Sequence, residues 1–309
     1  MTDVGIRAPR HQQLVIVFAV VAAVVGAVAP TPTIATQFWI ALPPVALFGL
    51  AHGGADPWLV RGLVRSRERP VWQWFGAYVA LALLFVVIVL WQPLFALVAF
   101  LLLSVWHFGR SDAPFQGFGR LSPAIWLAGS IPIIGPMAGH PAQTGQLFAW
   151  LLNADAAATM AVVEIIGVPL LVLWLVGFGG FWLHGNAGHA GAGLIELLTV
   201  AAAMVLLAPL LAFALYFCVV HSTRHFLELL ARAEAVRGHQ SSGSFLLHQA
   251  APATLATIAL GIAVWWFLGT GPELPDRTAD ATRVLFWGLA ALTVPHVMLV
   301  ERWWVPAHS

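Results

Sequence analysis

The chain has 309 residues, of which 60% are hydrophobic and only 9% are charged. A soluble domain carries about 25% charged residues, so this composition excludes a water-soluble globule and indicates an integral membrane protein. The net charge of +1 gives no reason to expect nucleic acid as a partner. All 14 basic residues are arginine and there is a single cysteine, which excludes a lysine Schiff base, an intramolecular disulfide and a cysteine-rich metal centre.

Apolar runs separated by Arg, Pro and Gly predict an all-α bundle of about ten transmembrane helices. A helix needs about 20 apolar residues to cross a bilayer, and the short breaks fit helices that are joined at the membrane surfaces. We find no internal repeat and no linker, so residues 1–309 are interpreted as a single integral-membrane domain. Only Pro209 separates the seventh predicted span from the eighth. The predicted spans are 12–29, 34–52, 71–91, 93–109, 121–139, 160–183, 192–207, 209–227, 245–268 and 282–304.

The arginines predict the orientation of this bundle. With ten spans and a cytoplasmic N-terminus, twelve of the fourteen arginines fall on the inner side, and only Arg277 and Arg283 fall outside. Basic residues favour the cytoplasmic side, so both termini are predicted to be cytoplasmic, in a multi-pass protein of the inner membrane. Arg7 and Arg10 before an apolar run could mark a signal peptide. Because Pro30 directly follows the only cleavage-like stretch, we expect the first helix to be retained.

Four even-numbered spans carry histidine motifs near their C-terminal ends. The motifs are His-Gly-Gly-Ala-Asp at 52–56, Trp-His-Phe-Gly-Arg-Ser-Asp at 106–112, His-Ser-Thr-Arg-His at 221–225 and Pro-His at 295–296. Even-numbered spans all run from outside to inside in the predicted topology. The motifs are therefore expected at one depth, in the cytoplasmic leaflet.

These histidines predict a metal site. His221 and His225 are four residues apart, so they lie on one helix face and can reach a single ion. His52 and His107 can complete the set from neighbouring helices. Imidazole ligands suit Fe, Zn, Cu and Ni.

Further polar and aromatic residues flank the predicted ligands. Asp56 and Asp112 follow their histidines by four and five residues. A carboxylate in such a place can accept the N–H of a ligand histidine, although caps or arginine partners are open alternatives. His296 follows a proline, and structural and substrate-lining roles are both open. Trp106 and Phe108 are candidates to contact a long apolar substrate.

In this order, the four motifs resemble the bacterial and archaeal membrane β-carotene 15,15′-dioxygenases, also called the bacteriorhodopsin-related-protein (Brp/Blh) family. The resemblance implies an enzyme that uses Fe²⁺ and O₂ to split the central double bond of β-carotene into two all-trans-retinals. It also implies that His52, His107, His221 and His225 are the iron ligands, and that a retinal-binding rhodopsin could accept the product. Family members often show His-Gly-Ala where this chain has His-Gly-Gly-Ala, which affects the position of Asp56.

Other classes of protein could use the same histidines. A membrane haem-binding electron-transfer protein is disfavoured, because two histidines on one helix would compete for one metal. A divalent-metal transporter with His52 and Asp56 on its pathway should show ligands throughout the membrane depth. A di-iron desaturase needs boxes such as His-x-x-His-His, which this chain lacks.

Overall fold

The computed structural model describes residues 8–51, 53–66, 70–120, 122–184, 187–237, 245–268 and 274–304. Within these ranges the chain is all-helical and contains no β-strand. The helices are α1 Ala8–Val28, α2 Ile34–Pro44, α3 Asp56–Ser66, α4 Val71–Trp91, α5 Pro93–Asp112, α6 Ala124–Gly139, α7 Pro141–Leu152, α8 Ala156–His184, α9 Ala187–Leu206, α10 Pro209–Ala214, α11 Thr223–Arg237, α12 Ala251–Leu268 and α13 Leu274–Trp304.

Three π-helical segments interrupt the regular α-helices in the described part of the chain. They are π1 Val45–Gly49, π2 Leu215–Ser222 and π3 Leu246–Ala250. In π2 the wider turn is reinforced by the hydroxyl of Thr223, which donates to the carbonyl of Cys218 at 2.8 Å. Such segments often occur at functional sites, because they change the direction of neighbouring side chains. Here π2 carries His221 and joins α10 to α11.

Eight of the ten predicted spans coincide with long apolar helices, and the predicted spans 121–139 and 192–207 coincide with shorter ones, so the count of ten is not confirmed. In the described part of the chain, eight helices are long and apolar enough to cross a membrane, and Ala124–Gly139 and Gly191–Leu206 are shorter apolar helices. The protein is therefore a helical membrane protein. The predicted break at Pro209 is confirmed, since Ala208 is extended (φ −54°, ψ 142°) and Pro209 begins a new helix.

Two helices were not predicted. Helix α7 lies within the predicted outer loop at 140–159; its twelve residues rise only about 18 Å, too little to cross a bilayer. It starts with a proline and ends at Asn153, which adopts the left-handed conformation (φ 50°). Helix α3 lies in the predicted inner loop and buries Trp58 and Leu59, while Arg61 is exposed. Both helices are too short or too polar to be recognised as apolar runs.

Burial distinguishes central helices from lipid-facing ones. In the most apolar 18-residue stretch of Pro209–Ala231, 61% of the residues are buried, whereas in that of Val71–Trp91 only 6% are buried. The segment with π2 and the start of α11 is therefore central, and α4 lies on the outside.

Helices α5 and α6 approach each other through reciprocal glycine contacts. A Cβ atom on Gly109 would overlap the carbonyl oxygen of Ile125, and one on Gly129 would overlap that of Val105. Only glycine allows this backbone approach. The contact holds the end of α5, which carries His107, against the protein interior.

A buried ion pair fixes the start of α11. Arg224 and Glu196 are both 0% exposed, and the guanidinium donates to the Glu196 carboxylate. The Gln116 amide donates to the same oxygen at 2.8 Å. Because buried charges are tolerated only when paired, this network ties α11 to α9 directly before His225.

Candidate metal centre and adjoining cavity

Four histidines from α5, π2, α11 and α13 form one buried cluster. They are His107, His221, His225 and His296, and none is more than 4% exposed. The ring centres of His107 lie 5.0 Å from His221 and 5.3 Å from His296. His225 lies 5.1 Å from His296, 6.3 Å from His221 and 6.4 Å from His107. The helix ends therefore bring together three of the predicted ligands and His296.

The fourth predicted ligand, His52, lies outside the described residues. The segment that follows it reaches the cluster, since Asp56 contacts His296. The 3₁₀ turn Gly53–Ala55 begins directly after it.

Each of these pairs of ring centres is close enough for two imidazoles to share one ion. A metal–imidazole bond is about 2.1 Å, so a bound ring has its centre about 3.3 Å from the ion and two rings on one ion are at most about 6.6 Å apart. All five measured distances meet this condition. Among the described residues, no group of three or more His, Cys, Asp or Glu side chains has the geometry to hold a metal ion, so the rings must move before they can bind one. A donor set of imidazoles fits Fe²⁺.

His221 is backed by a buried carboxylate. Its Nδ1 lies 3.6 Å from Oδ1 of Asp112, slightly beyond hydrogen-bond distance. The other carboxylate oxygen accepts the Tyr216 hydroxyl at 2.7 Å. Asp112 thus faces His221, rather than His107 as its sequence position predicts.

His296 is backed in the same way. Its Nδ1 lies 2.8 Å from Oδ1 of Asp56, and Oδ2 of Asp56 accepts the Tyr78 hydroxyl at 2.8 Å. The described partners of Asp56 therefore come from α13 and α4. Two buried Tyr–Asp–His arrangements approach the cluster from different sides.

The sequence analysis missed the two tyrosines, which are the only ones in the chain. Their rarity was a usable signal, because a buried phenol needs an acceptor for its hydroxyl. With few polar groups in the spans, Asp56 and Asp112 were the natural acceptors.

The two aromatic candidates occupy different places. Phe108 packs against the cluster, with its ring centre 4.5 Å from His221 and 5.3 Å from Tyr216. Trp106 instead lies beneath the Arg110 guanidinium at 5.2 Å. Of the two, only Phe108 has a described contact with the histidines.

A cavity of about 190 Å³ lies beside His296 and Asp56. Its wall is mainly apolar and includes Phe75, Phe217 and Leu292. The lining hydroxyls of Thr257 and Thr293 donate to carbonyls within their own helices, at 2.9 and 2.7 Å.

Because those donors are already used, the cavity presents a surface suited to a hydrocarbon. Phe217 also lies 6.2 Å from His221 with nearly parallel rings. The cavity is therefore directly adjacent to the histidine cluster.

Comparison with known proteins shows the family. The family model described as "Beta-carotene 15,15'-dioxygenase" matches residues 44–304. The chain is 29% identical over 275 residues to the beta-carotene 15,15'-dioxygenase of an uncultured marine bacterium, 66A03, covering 85% of this chain and 92% of that protein. It is 28% identical over 287 residues to the probable beta-carotene 15,15'-dioxygenase Blh of Halobacterium salinarum, covering 82% and 80% of the two chains. No solved structure matches. The chain therefore belongs to the β-carotene 15,15′-dioxygenase family.

Proposed function

We propose that this protein is a non-haem Fe(II) dioxygenase that cleaves β-carotene at its central double bond and releases two all-trans-retinals. The observation that carries the proposal is the buried histidine cluster beside an apolar cavity, in a chain of this family. His52, His107, His221 and His225 are the proposed ligands. Bound iron would supply the activation of O₂ that a polyene does not undergo by itself.

The reaction balances without a further reductant. The C15–C15′ double bond of β-carotene breaks, and each of its two carbons gains one oxygen atom as an aldehyde. Both atoms of O₂ are thus used in the two retinals. No flavin or nucleotide partner is required.

The protein residues position the substrate and exclude water. The apolar wall formed by Phe75, Phe217 and Leu292 can hold one part of the polyene chain. Fixing the chain lengthwise selects one double bond from a nearly uniform conjugated series. Burial of the histidines keeps water away from the reacting carbons.

The two aspartates are proposed to orient the ligand rings. A carboxylate that accepts the N–H of a ligand histidine fixes the ring orientation and makes the other nitrogen a better donor. Asp112 faces Nδ1 of His221, which leaves Nε2 for the ion. We propose that Asp112 acts through His221 and does not bind the metal itself.

We further propose ten membrane crossings in the inner membrane, with both termini cytoplasmic and the metal site in the cytoplasmic leaflet. Support comes from contacts between residues predicted on the same side. Arg110 donates to both carboxylate oxygens of Glu301 at 3.0 Å, and all of these atoms are predicted inside. Arg283 donates to the Trp150 carbonyl at 2.6 Å, and both are predicted outside. Reporter fusions at the C-terminus and in 140–159 should label opposite sides; labelling on one side contradicts the topology.

The test of the function is incorporation of isotopic oxygen. Purified protein loaded with Fe(II) is incubated with β-carotene under ¹⁸O₂, and the aldehydes are reduced at once with borohydride to prevent exchange with water. We expect one ¹⁸O in each retinal-derived alcohol. Label in only half of the product, or from water, contradicts a dioxygenase, and a Soret band in the visible spectrum would indicate haem instead.

A rhodopsin as product acceptor stays a prediction.

A further inference from the structure

We infer that His296 is an additional ligand of the proposed iron, with Nε2 facing the ion and Nδ1 held by Asp56. This inference rests on the proposed function and extends it. The sequence left His296, which follows a proline, with a structural or a substrate-lining role. The structure places it within the cluster.

Distances support this assignment at least as well as they support the predicted ligands. The ring centre of His296 lies 5.3 Å from His107 and 5.1 Å from His225. The predicted ligands His221 and His225 are 6.3 Å apart. By these two distances, His296 lies beside His107 and His225 within the cluster.

Angles around a shared ion make the comparison sharper. With ring centres about 3.3 Å from the ion, the separations of 5.1, 5.3 and 6.4 Å among His107, His225 and His296 correspond to roughly 101°, 107° and 152°. Three directions from one point cannot have angles that sum to more than about 360°, and this set reaches that limit without exceeding it.

The predicted set without His296 fits less well. His107, His221 and His225 are separated by 5.0, 6.3 and 6.4 Å, which correspond to roughly 98°, 145° and 152° at the same ring-to-ion distance. The sum of these three angles exceeds 360°, so the three rings at these separations cannot all lie at that distance from one ion. All three-histidine sets need some movement to bind an ion, but by ring separation His107, His225 and His296 need less inward movement than His107, His221 and His225.

The hydrogen bond to Asp56 selects the nitrogen that faces the cluster. Asp56 is 3% exposed and its Oδ1 lies 2.8 Å from Nδ1 of His296. An ionised carboxylate only accepts hydrogen bonds, so in the proposed ligand Nδ1 of His296 is the donor and Nε2 of the neutral ring binds the ion. Tyr78 donates to the other oxygen of Asp56 and holds the carboxylate in place. This is the arrangement that metal-bound histidines usually have.

The experiment compares His296→Ala with wild type by metal content and by X-ray absorption. Each protein is purified in detergent, stripped with chelator and reloaded with Fe(II). The iron per chain is then measured, and the imidazole ligands are counted from the absorption spectrum. We expect one imidazole fewer in His296→Ala and iron affinity more than 100-fold weaker. Added imidazole should restore part of the iron binding, because it fits the space left by the ring.

Control variants separate a ligand from a residue that only supports the fold. His140→Ala removes a histidine whose Nε2 contacts the Leu206 carbonyl at 3.1 Å, outside the cluster, and should leave iron unchanged. Asp56→Asn should weaken iron binding about 10–100-fold with the same number of imidazoles. His296→Gln, which is similar in size, replaces His296→Ala if the alanine variant loses its helical circular dichroism.

The inference and the proposed function can fail separately. If the folded His296 variant keeps the wild-type iron content and the wild-type number of imidazoles, His296 is not a ligand, and the dioxygenase proposal still stands on the wild-type protein. If wild-type protein binds no iron, or binds iron and forms no retinal, the proposed function itself fails.

Discussion

Replacement of Asp112 by asparagine tests how the protein holds a metal-binding histidine. Asp112 is 1% exposed; one oxygen accepts the Tyr216 hydroxyl at 2.7 Å and the other lies 3.6 Å from Nδ1 of His221. The asparagine side chain would keep the shape and can still accept from Tyr216 through its amide oxygen. Its NH₂ group would then face Nδ1 of His221, where the present interaction is with a negative charge.

The expected magnitude follows from these contacts. Loss of the carboxylate behind a ligand histidine typically weakens metal binding or activity about 10–100-fold, equivalent to about 1.4–2.8 kcal/mol. The Tyr216 hydrogen bond changes from a charged to a neutral acceptor, which costs about 1 kcal/mol of stability. We therefore expect a folded variant that binds iron weakly and regains activity with added iron.

The assay is an iron titration with retinal formation as one readout and bound iron as the other. Asp155→Asn is the matched control, since Asp155 is exposed and caps α8 by accepting from the Ala158 N–H at 2.7 Å; asparagine caps equally well. His107→Ala should form no retinal at any iron concentration. If Asp112→Asn is equally inactive with excess iron, Asp112 is itself a ligand, and the site combines histidine and carboxylate.

Two further predictions concern the scaffold of the site. Gly129→Ala places a methyl group against the Val105 carbonyl and should cost about 1–3 kcal/mol of stability, with loss of bound iron. The control Gly76→Ala, whose Cβ meets no described atom within 4 Å, should be neutral or stabilising in a thermal unfolding assay. Equal stability of the two variants would contradict the close packing of α5 and α6. Glu196→Ala leaves Arg224 as an unpaired buried charge and should lower the free energy of unfolding by about 3–5 kcal/mol. Glu301→Ala, which breaks the partly exposed pair with Arg110, should lower it by only about 0–1 kcal/mol. A smaller loss for Glu196→Ala would show that Arg224 reaches another partner.

The sequence was informative where local composition decides the structure. Apolar runs located the long helices, and Pro209 located a break that the structure contains. The expectation that His107, His221 and His225 come together agrees with the structure, although the ten-span topology from which it was drawn stays a prediction. Helix direction sets the depth of a residue, so this prediction needed no knowledge of packing.

The partners of the aspartates could not be predicted in this way. A residue one helical turn away is the nearest candidate along the chain, yet Asp56 contacts His296, 240 positions further on. Asp112 faces His221 and Tyr216. Which neighbouring helix supplies a partner depends on rotation about the helix axis, and such rotation is set by close contacts such as that of Gly129 with α5. Single-sequence patterns carry no record of these contacts.

The most direct test of the central claim is the product of aerobic incubation with β-carotene. Wild-type protein in detergent, reloaded with Fe(II), is mixed with β-carotene and the extract is separated by chromatography. We expect retinal as the sole cleavage product, two molecules for each β-carotene consumed, and none from His107→Ala. Apocarotenals of unequal length would contradict cleavage at the central bond, and unchanged β-carotene with iron-loaded wild-type protein would contradict the proposed activity.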